Sequence, residues 1–145
     1  MEEVRHTLQS IIRHLGILDK NCCSACGKDV SLTQSHILYE IGRRDRPSMQ
    51  QVADALGMDI ATFSRQFQSL VRKRLVKKTP SDRDRRVYRL ELTEEGTAVA
   101  ASIEQQALGY LRQIFSHMNE FEKETVIRSL RLLHACMEKA GYCCR

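Results

Sequence analysis

No stretch of this 145-residue chain approaches the ~18 consecutive apolar residues of a membrane-spanning helix. Its first residues, MEEVRHTLQS, lack the apolar run of a secretory signal, so a cytoplasmic location is expected. Thiols there are normally reduced, which argues against a structural disulfide framework despite six cysteines. Tryptophan is absent and aromatic residues make up only 6%. No internal repeat or low-complexity segment is present. Nothing resembles a hydrolytic triad, a phosphate-binding loop or a paired-carboxylate site, so no enzyme is expected. What remains is 42% hydrophobic and 28% charged residues, the balance of a globular chain large enough to bury a core.

The charge is unevenly spread. Nine basic residues (Arg72, Lys73, Arg74, Lys77, Lys78, Arg83, Arg85, Arg86 and Arg89) share one segment with two acidic ones, Asp82 and Asp84. That segment carries +7 against a net charge of +5, leaving the remainder at −2. A charge run is ordinarily a solvated face. Concentrated on a near-neutral chain, it fits a polyanion such as nucleic acid.

Both ends of the chain carry narrow apolar stripes. Val4, Leu8, Ile11, Leu15 and Leu18 recur at steps of four and three, as do Val126, Leu130, Leu133, Met137 and Ala140 after a cap at Asn119. Such stripes suit helices that pack on each other or on a second copy, and burial within one monomer remains open. Cys136 lies beside the second stripe and reads as a buried thiol. A further long helix is expected from Glu94 to about Met118, capped by Thr93 with acidic residues in its first turn.

Between them, Ser48 and Gln51 have capping-box spacing ahead of MQQVADALGM, and Gly57 ends that short helix. Asp59 can cap the next helix, IATFSRQFQSLVRKRL. Two helices joined by a short Gly-containing turn read as helix-turn-helix. Ile60, Phe63, Phe67, Leu70 and Val71 fall on one face of the second helix. Thr62, Ser64, Arg65, Gln68, Ser69 and Arg72 fall largely on the others. Short hydrogen-bonding side chains near a helix N-terminus are what base edges in a major groove require, which makes Thr62, Ser64, Arg65 and Gln68 candidate DNA-reading residues. Next, Val76–Thr79 and Arg86–Leu92 read as two strands joined by PSDRD turn chemistry, with Tyr88, Leu90 and Leu92 on one face. A hairpin tipped with Arg83, Arg85 and Arg86 is a wing whose arginines can meet phosphates or the minor groove. Asp84 can hold those arginines in register.

From VSLTQSHILYEI through RLVKKTPSDRDRRVYRLELTEEG, about Val30 to Gly96, the chain resembles the MarR family of winged helix-turn-helix transcriptional regulators. The most specific piece is SDRDRRVYRLELTEEG, which follows the family's D-x-R-x-x-x-x-x-L-T-x-x-G pattern. The resemblance implies a mainly α fold with a small β-hairpin, flanked by N- and C-terminal dimerisation helices. It divides one domain, 1–145, into dimerisation helices at 1–20 and 119–142, a winged helix-turn-helix at 30–92 and a connecting helix at 93–118. It further implies a homodimer, most simply a repressor, reading a pseudo-palindromic operator and answering to a ligand or modification.

Three cysteines, Cys22, Cys23 and Cys26, sit in CCSACGK between the first helix and VSLTQSH, and two more, Cys143 and Cys144, close the tail. They are foreign to the family pattern. CSACGK has the thiolate spacing of half a zinc site, and no second C-x2-C follows. His36, one to two helical turns on, could add a nitrogen ligand, although packing is the commoner role for such a histidine. A site drawn from loop and tail would suit a soft ion: zinc, copper(I), mercury or trivalent arsenic. A loop-to-tail disulfide formed by an oxidant is the alternative. A further alternative is a repressor of phenolic molecules with incidental cysteines. A C-x-x-C thiol oxidoreductase fits poorly, because the preceding segment is helical and no parallel sheet is evident.

Overall fold

A computed structural model of the chain describes residues 1–22, 29–81 and 87–141, with 16–22 as helix backbone. In chain order the elements are α1 (Glu2–Cys22), α2 (Leu32–Gly42), α3 (Met49–Ala55), α4 (Ile60–Arg72), β1 (Val76–Pro80), β2 (Tyr88–Leu92), α5 (Glu94–Ser116) and α6 (Glu120–Ala140). The architecture is the expected one, mainly α with a single antiparallel hairpin among the described residues. The chain divides into two compact units, Met1–Ala107 and Leu108–Arg145.

Helix boundaries in the first unit follow from local chemistry. Ser48 accepts from the Gln51 backbone N–H while the Gln51 side chain accepts from the Ser48 N–H at 2.8 Å, a complete capping box for α3. Ser31 and Gln34 build the same box for α2. Asp59 caps α4 by accepting from the Thr62 N–H at 2.8 Å. At its other end α3 closes through Met58 N–H to Ala53 C=O and Gly57 N–H to Asp54 C=O, with Gly57 at φ 61°. This double closure needs a left-handed residue, which glycine adopts without a Cβ penalty. The end of α4 closes the same way, from Leu75 to Leu70 and from Arg74 to Val71, with Arg74 held at φ 60°.

The caps aim the apolar faces inward. Ile37, Leu38 and Ile41 of α2, Val52 and Ala53 of α3, and Phe63, Phe67 and Leu70 of α4 form one core. Val30, Leu75, Val76, Leu90 and Val99 complete it. The Phe63 and Phe67 rings stack with centroids 6.0 Å apart, adding aromatic contact to burial of ~1.5–3 kcal/mol per large side chain. Ile60 and Val71, expected on this face, are 45% and 37% exposed. Val71 follows Leu70 by about 100° of helix rotation, and Ile60 is the first helical residue, ahead of the packed turns.

Val76 pairs with Leu92 and Pro80 with Tyr88, so the hairpin register places Leu90 in the core opposite Lys78. The connection between α2 and α3 joins as a partial third edge. Leu90 N–H donates to Pro47 C=O at 2.9 Å, and Ser48 bridges Arg89. After β2, Thr93 donates its hydroxyl to the Arg74 carbonyl at 2.7 Å and its N–H to the Leu75 carbonyl at 3.1 Å. It also caps α5 by accepting from Gly96 N–H. A Cβ at Gly96 would overlap the Leu75 carbonyl, so only glycine lets the first turn of α5 lie this close. The L-T-x-x-G spacing therefore has a mechanical reason: one residue caps and ties, and the other makes room.

On α1 the stripe of Val4, Leu8, Ile11 and Leu15 is exposed. In the second unit, α6 begins with a capping box between Asn119 and Glu122, yet none of its residues is buried. Leu130, Leu133 and Met137 are open to solvent in the single chain. Cys136 corrects the sequence reading: it is exposed rather than buried, because none of the described residues covers that flank of α6. Among the described residues no helix is long and apolar enough to cross a membrane.

Candidate nucleic-acid interface

Burial of Phe63, Phe67 and Leu70 dictates what α4 shows outward. Ala61, Arg65, Gln68 and Arg72, spaced by four, three and four, form its exposed stripe. Arg65 and Gln68 are therefore fully presented, while Thr62 and Ser64 flank the stripe half-buried. Arg72 shares the open face, and Ser69, half-buried, turns inward to a hydrogen bond with Gln34. At the leading end, Arg65 Nη2 donates to Thr62 Oγ1 at 3.2 Å, and Thr62 N–H donates to Asp59. Hydrogen bonds from Thr62, with a smaller contribution from the Arg65 charge, hold the Asp59 carboxyl below its usual range. The guanidinium at the front of the helix thus starts from an oriented position.

Beside it, Ser81 N–H donates to the Val87 carbonyl at 2.8 Å and carries the hairpin ladder one step beyond Pro80 and Tyr88. Arg83, Arg85 and Arg86 lie in the 82–86 connection, outside the described residues. At the hairpin's base, Glu91 lies between Arg46 Nε at 2.7 Å and Lys77 Nζ at 3.2 Å. Lys77 first, then Arg46, holds its carboxyl below the ordinary glutamate value. The Arg46 pair fastens the α2–α3 connection to β2, and the Lys77 pair joins the two strands. Lys78 stands over the Tyr88 ring at 4.8 Å and remains exposed.

Gln34 was not singled out by sequence reasoning. Only 5% exposed, it joins α2 to α4. Its Nε2 donates to Gln66 Oε1 and Ser69 Oγ, both at 3.2 Å. Its Oε1 accepts from Ser31 N–H at 3.3 Å and from Lys73 Nζ at 2.9 Å. Lys73 also donates to the Asp29 carbonyl. Only the capping-box spacing of Ser31 and Gln34 was visible in the sequence; partners 32 to 39 residues away in the chain had no local signature.

Of the proposed thiol site, Cys22 is the last residue of α1 rather than part of the following loop. Asn21 and Cys22 continue the helix of α1. Cys23, Cys26, Cys143 and Cys144 lie outside the described residues. His36 is exposed on α2, and among the described residues no three His, Cys, Asp or Glu side chains gather in metal-binding geometry.

The sequence profile of the MarR family matches residues 28–87. Over 137 residues the chain is 22% identical to an uncharacterized HTH-type transcriptional regulator, YybA of Bacillus subtilis, with 91% of each chain covered. Its fold resembles that of Streptococcus pneumoniae FabT, solved in complex with DNA: TM-score 0.90, 23% identity, 97% of this chain and 99% of that one. It also resembles Staphylococcus aureus MepR, likewise solved with DNA: TM-score 0.74, 20% identity, 91% of this chain and 97% of that one. The MarR family profile thus matches the winged segment, residues 28–87, and the chain shares its fold with FabT and MepR over nearly its full length.

Proposed function

We propose that this chain is a DNA-binding transcriptional regulator that acts as a homodimer and whose operator occupancy is set by a soft metal or metalloid at its clustered cysteines. The observation that carries the DNA reading is the face of α4, where Arg65, Gln68 and Arg72 stand exposed directly opposite the Phe63–Phe67–Leu70 seam. The fold shared with FabT and MepR, both solved with DNA, supports it. In this reading α4 lies in the major groove, with Arg65 and Gln68 addressing base edges and Thr62 and Ser64 close to them. The tip arginines, Arg83, Arg85 and Arg86, take flanking phosphates or the minor groove. Open apolar stripes on α1 and α6 support a second copy as their cover. Two copies then present two recognition helices about 34 Å apart, one turn of DNA.

The thiol reading rests on five cysteines gathered into two short segments of the sequence. Two or more thiolates bind soft ions in preference to oxygen-seeking ones. Binding changes operator affinity only if free and loaded dimers hold DNA differently. A coupling of ~1–3 kcal/mol is enough for a five- to 150-fold response.

The test is fluorescence anisotropy with a duplex selected by the protein from a random pool, across a salt series, alongside native mass spectrometry of reduced protein with and without arsenite. A dimer that takes up arsenic, changes its DNA affinity, and loses both properties when Cys22, Cys23 and Cys26 become serine is the expected result. Arg85→Ala and Arg86→Ala should each flatten the salt dependence, by a log–log slope of about 1 for every phosphate no longer neutralised. Unchanged slopes would remove the wing assignment. Loss of DNA binding on peroxide without any arsenic uptake would replace metalloid sensing by disulfide switching.

A further inference from the structure

A glutamine amide has two donor hydrogens and two acceptor lone pairs, and burying it is costly unless they are used. Gln34 uses all four. The acceptor side faces the backbone of Ser31 and the ammonium of Lys73; the donor side faces Gln66 and Ser69. Three of these partners, Gln66, Ser69 and Lys73, follow one another along the inner edge of α4 and its cap, spaced by three and four. The fourth ties the amide to the start of α2. The arrangement fixes α4 in both rotation and axial position, because sliding or turning it by one residue would break its three bonds to Gln34 together.

Lys73 extends the tie. It is the C-cap residue of α4, and its ammonium reaches back across the chain to the carbonyl of Asp29 while still bonding Gln34. Asp29 directly follows CCSACGK in the sequence. A cation at a helix C-terminus is also favoured by the helix dipole, so its position there needs no DNA to explain it.

We infer that Gln34 and Lys73 form a positioning clamp that sets the pose of the recognition helix and links that pose to the backbone at residue 29, next to the cysteine cluster. The inference rests on the regulator reading above and adds to it the route by which a change near the thiols reaches the DNA-contacting face. Neither residue touches DNA in this scheme. Lys73 belongs to the basic segment by composition, but its charge is directed at protein carbonyls.

The experiment uses full-length Lys73→Met, Lys73→Arg and Gln34→Leu proteins and the duplex selected by wild-type protein. Lys73→Met should bind about tenfold more weakly with an unchanged salt slope, and Lys73→Arg, which keeps a donor, should recover most of the loss. Gln34→Leu should show the same signature; should it fail to fold, the Lys73 pair decides alone, since that side chain is only half-buried at the end of α4. A slope reduced by about 1 per Lys73 removed would make Lys73 a phosphate contact and overturn the clamp. Unchanged affinity in Lys73→Met would overturn it as well. With arsenite, Lys73→Met should take up the ion as wild type does but lose at least two-thirds of the affinity response. A full response overturns the link to residue 29. Wild-type protein that takes up no arsenic removes the thiol reading alone, leaving affinity and slope to decide the clamp. Wild-type protein that selects no duplex takes down the regulator reading and this inference with it.

Discussion

The helix-turn-helix and α6 obtain their order in opposite ways. Around α2, α3 and α4 every long apolar side chain that points inward finds cover within its own unit, and Phe63, Phe67 and Leu70 are essentially sealed. Helix α6 is as well specified locally, with its Asn119–Glu122 box and a 21-residue span, yet it buries nothing. The first region is stabilised by its own core. The second has a sound helix start but an apolar stripe that no described residue of this chain covers. Capping determines where a helix begins; only burial gives it substantial stability.

The largest break in that comparison should come from Gly96→Ala. The added methyl meets the Leu75 backbone, which cannot move without disturbing the Thr93 tie and the core beneath it. A loss of about 3 kcal/mol or more is expected, near the upper end for overpacking, seen as a lowered midpoint in urea unfolding. A stability within about 0.5 kcal/mol of wild type, the range of an ordinary surface change, would show that the close approach is not maintained.

Next comes the stripe. Leu130→Glu with Leu133→Glu removes apolar surface from α6 without opening a cavity in the first unit. Sedimentation should show at least a hundredfold weaker self-association, about 2.7 kcal/mol at roughly 1.4 kcal/mol per decade. Circular dichroism should retain the helical signal of the helix-turn-helix. Undiminished dimers would assign the stripe to some other cover.

A smaller effect isolates the cap. Asn119→Ala should cost about 1 kcal/mol of helix stability and shorten amide protection in the first turn of α6, leaving α3 and α4 unchanged. Equal loss of protection in all three helices would make the two regions one cooperative body.

The smallest effect is acid dependence. Glu91 and Asp59 have carboxyls held below their unfolded values, by Lys77 with Arg46 and by Thr62 respectively. Their contribution is therefore complete above about pH 4.3 and is lost as pH falls through the lower folded values. Thermal melts from about pH 5 downward should fall less steeply in Glu91→Gln than in wild type. Parallel curves would mean that the ion pairs with Arg46 and Lys77 add nothing.

Local signals carried much of this structure into the sequence. Ser48, Asp59, Thr93 and Asn119 mark helix starts because a cap and its acceptor lie within three residues of each other. The hairpin and the α4 seam were legible from side-chain periodicity. Relations between distant residues were not: Gln34 to Lys73 and Arg46 to Glu91 bring side chains together across 39 and 45 positions, and polar pairs of that kind leave no period. Cys136 was misread for a related reason. A stripe with coiled-coil spacing implies burial somewhere, and the pattern alone does not say in which chain the covering surface resides.

The hairpin ladder has a further consequence, one of tether length. Among the described residues its last bonded pair is Ser81 and Val87, so the segment that carries Arg83, Arg85 and Arg86 is anchored at both ends. Six Cα-to-Cα steps join those ends, at about 3.8 Å per step. Out and back, the apex can stand no farther than about 11 Å beyond the ladder. Chain length alone therefore caps the reach of that segment. Removing two residues would draw it back by about one step, roughly 4 Å, while the strand register beneath stayed in place. Loop length, more than the number of arginines, would then decide how deep a groove this protein can reach.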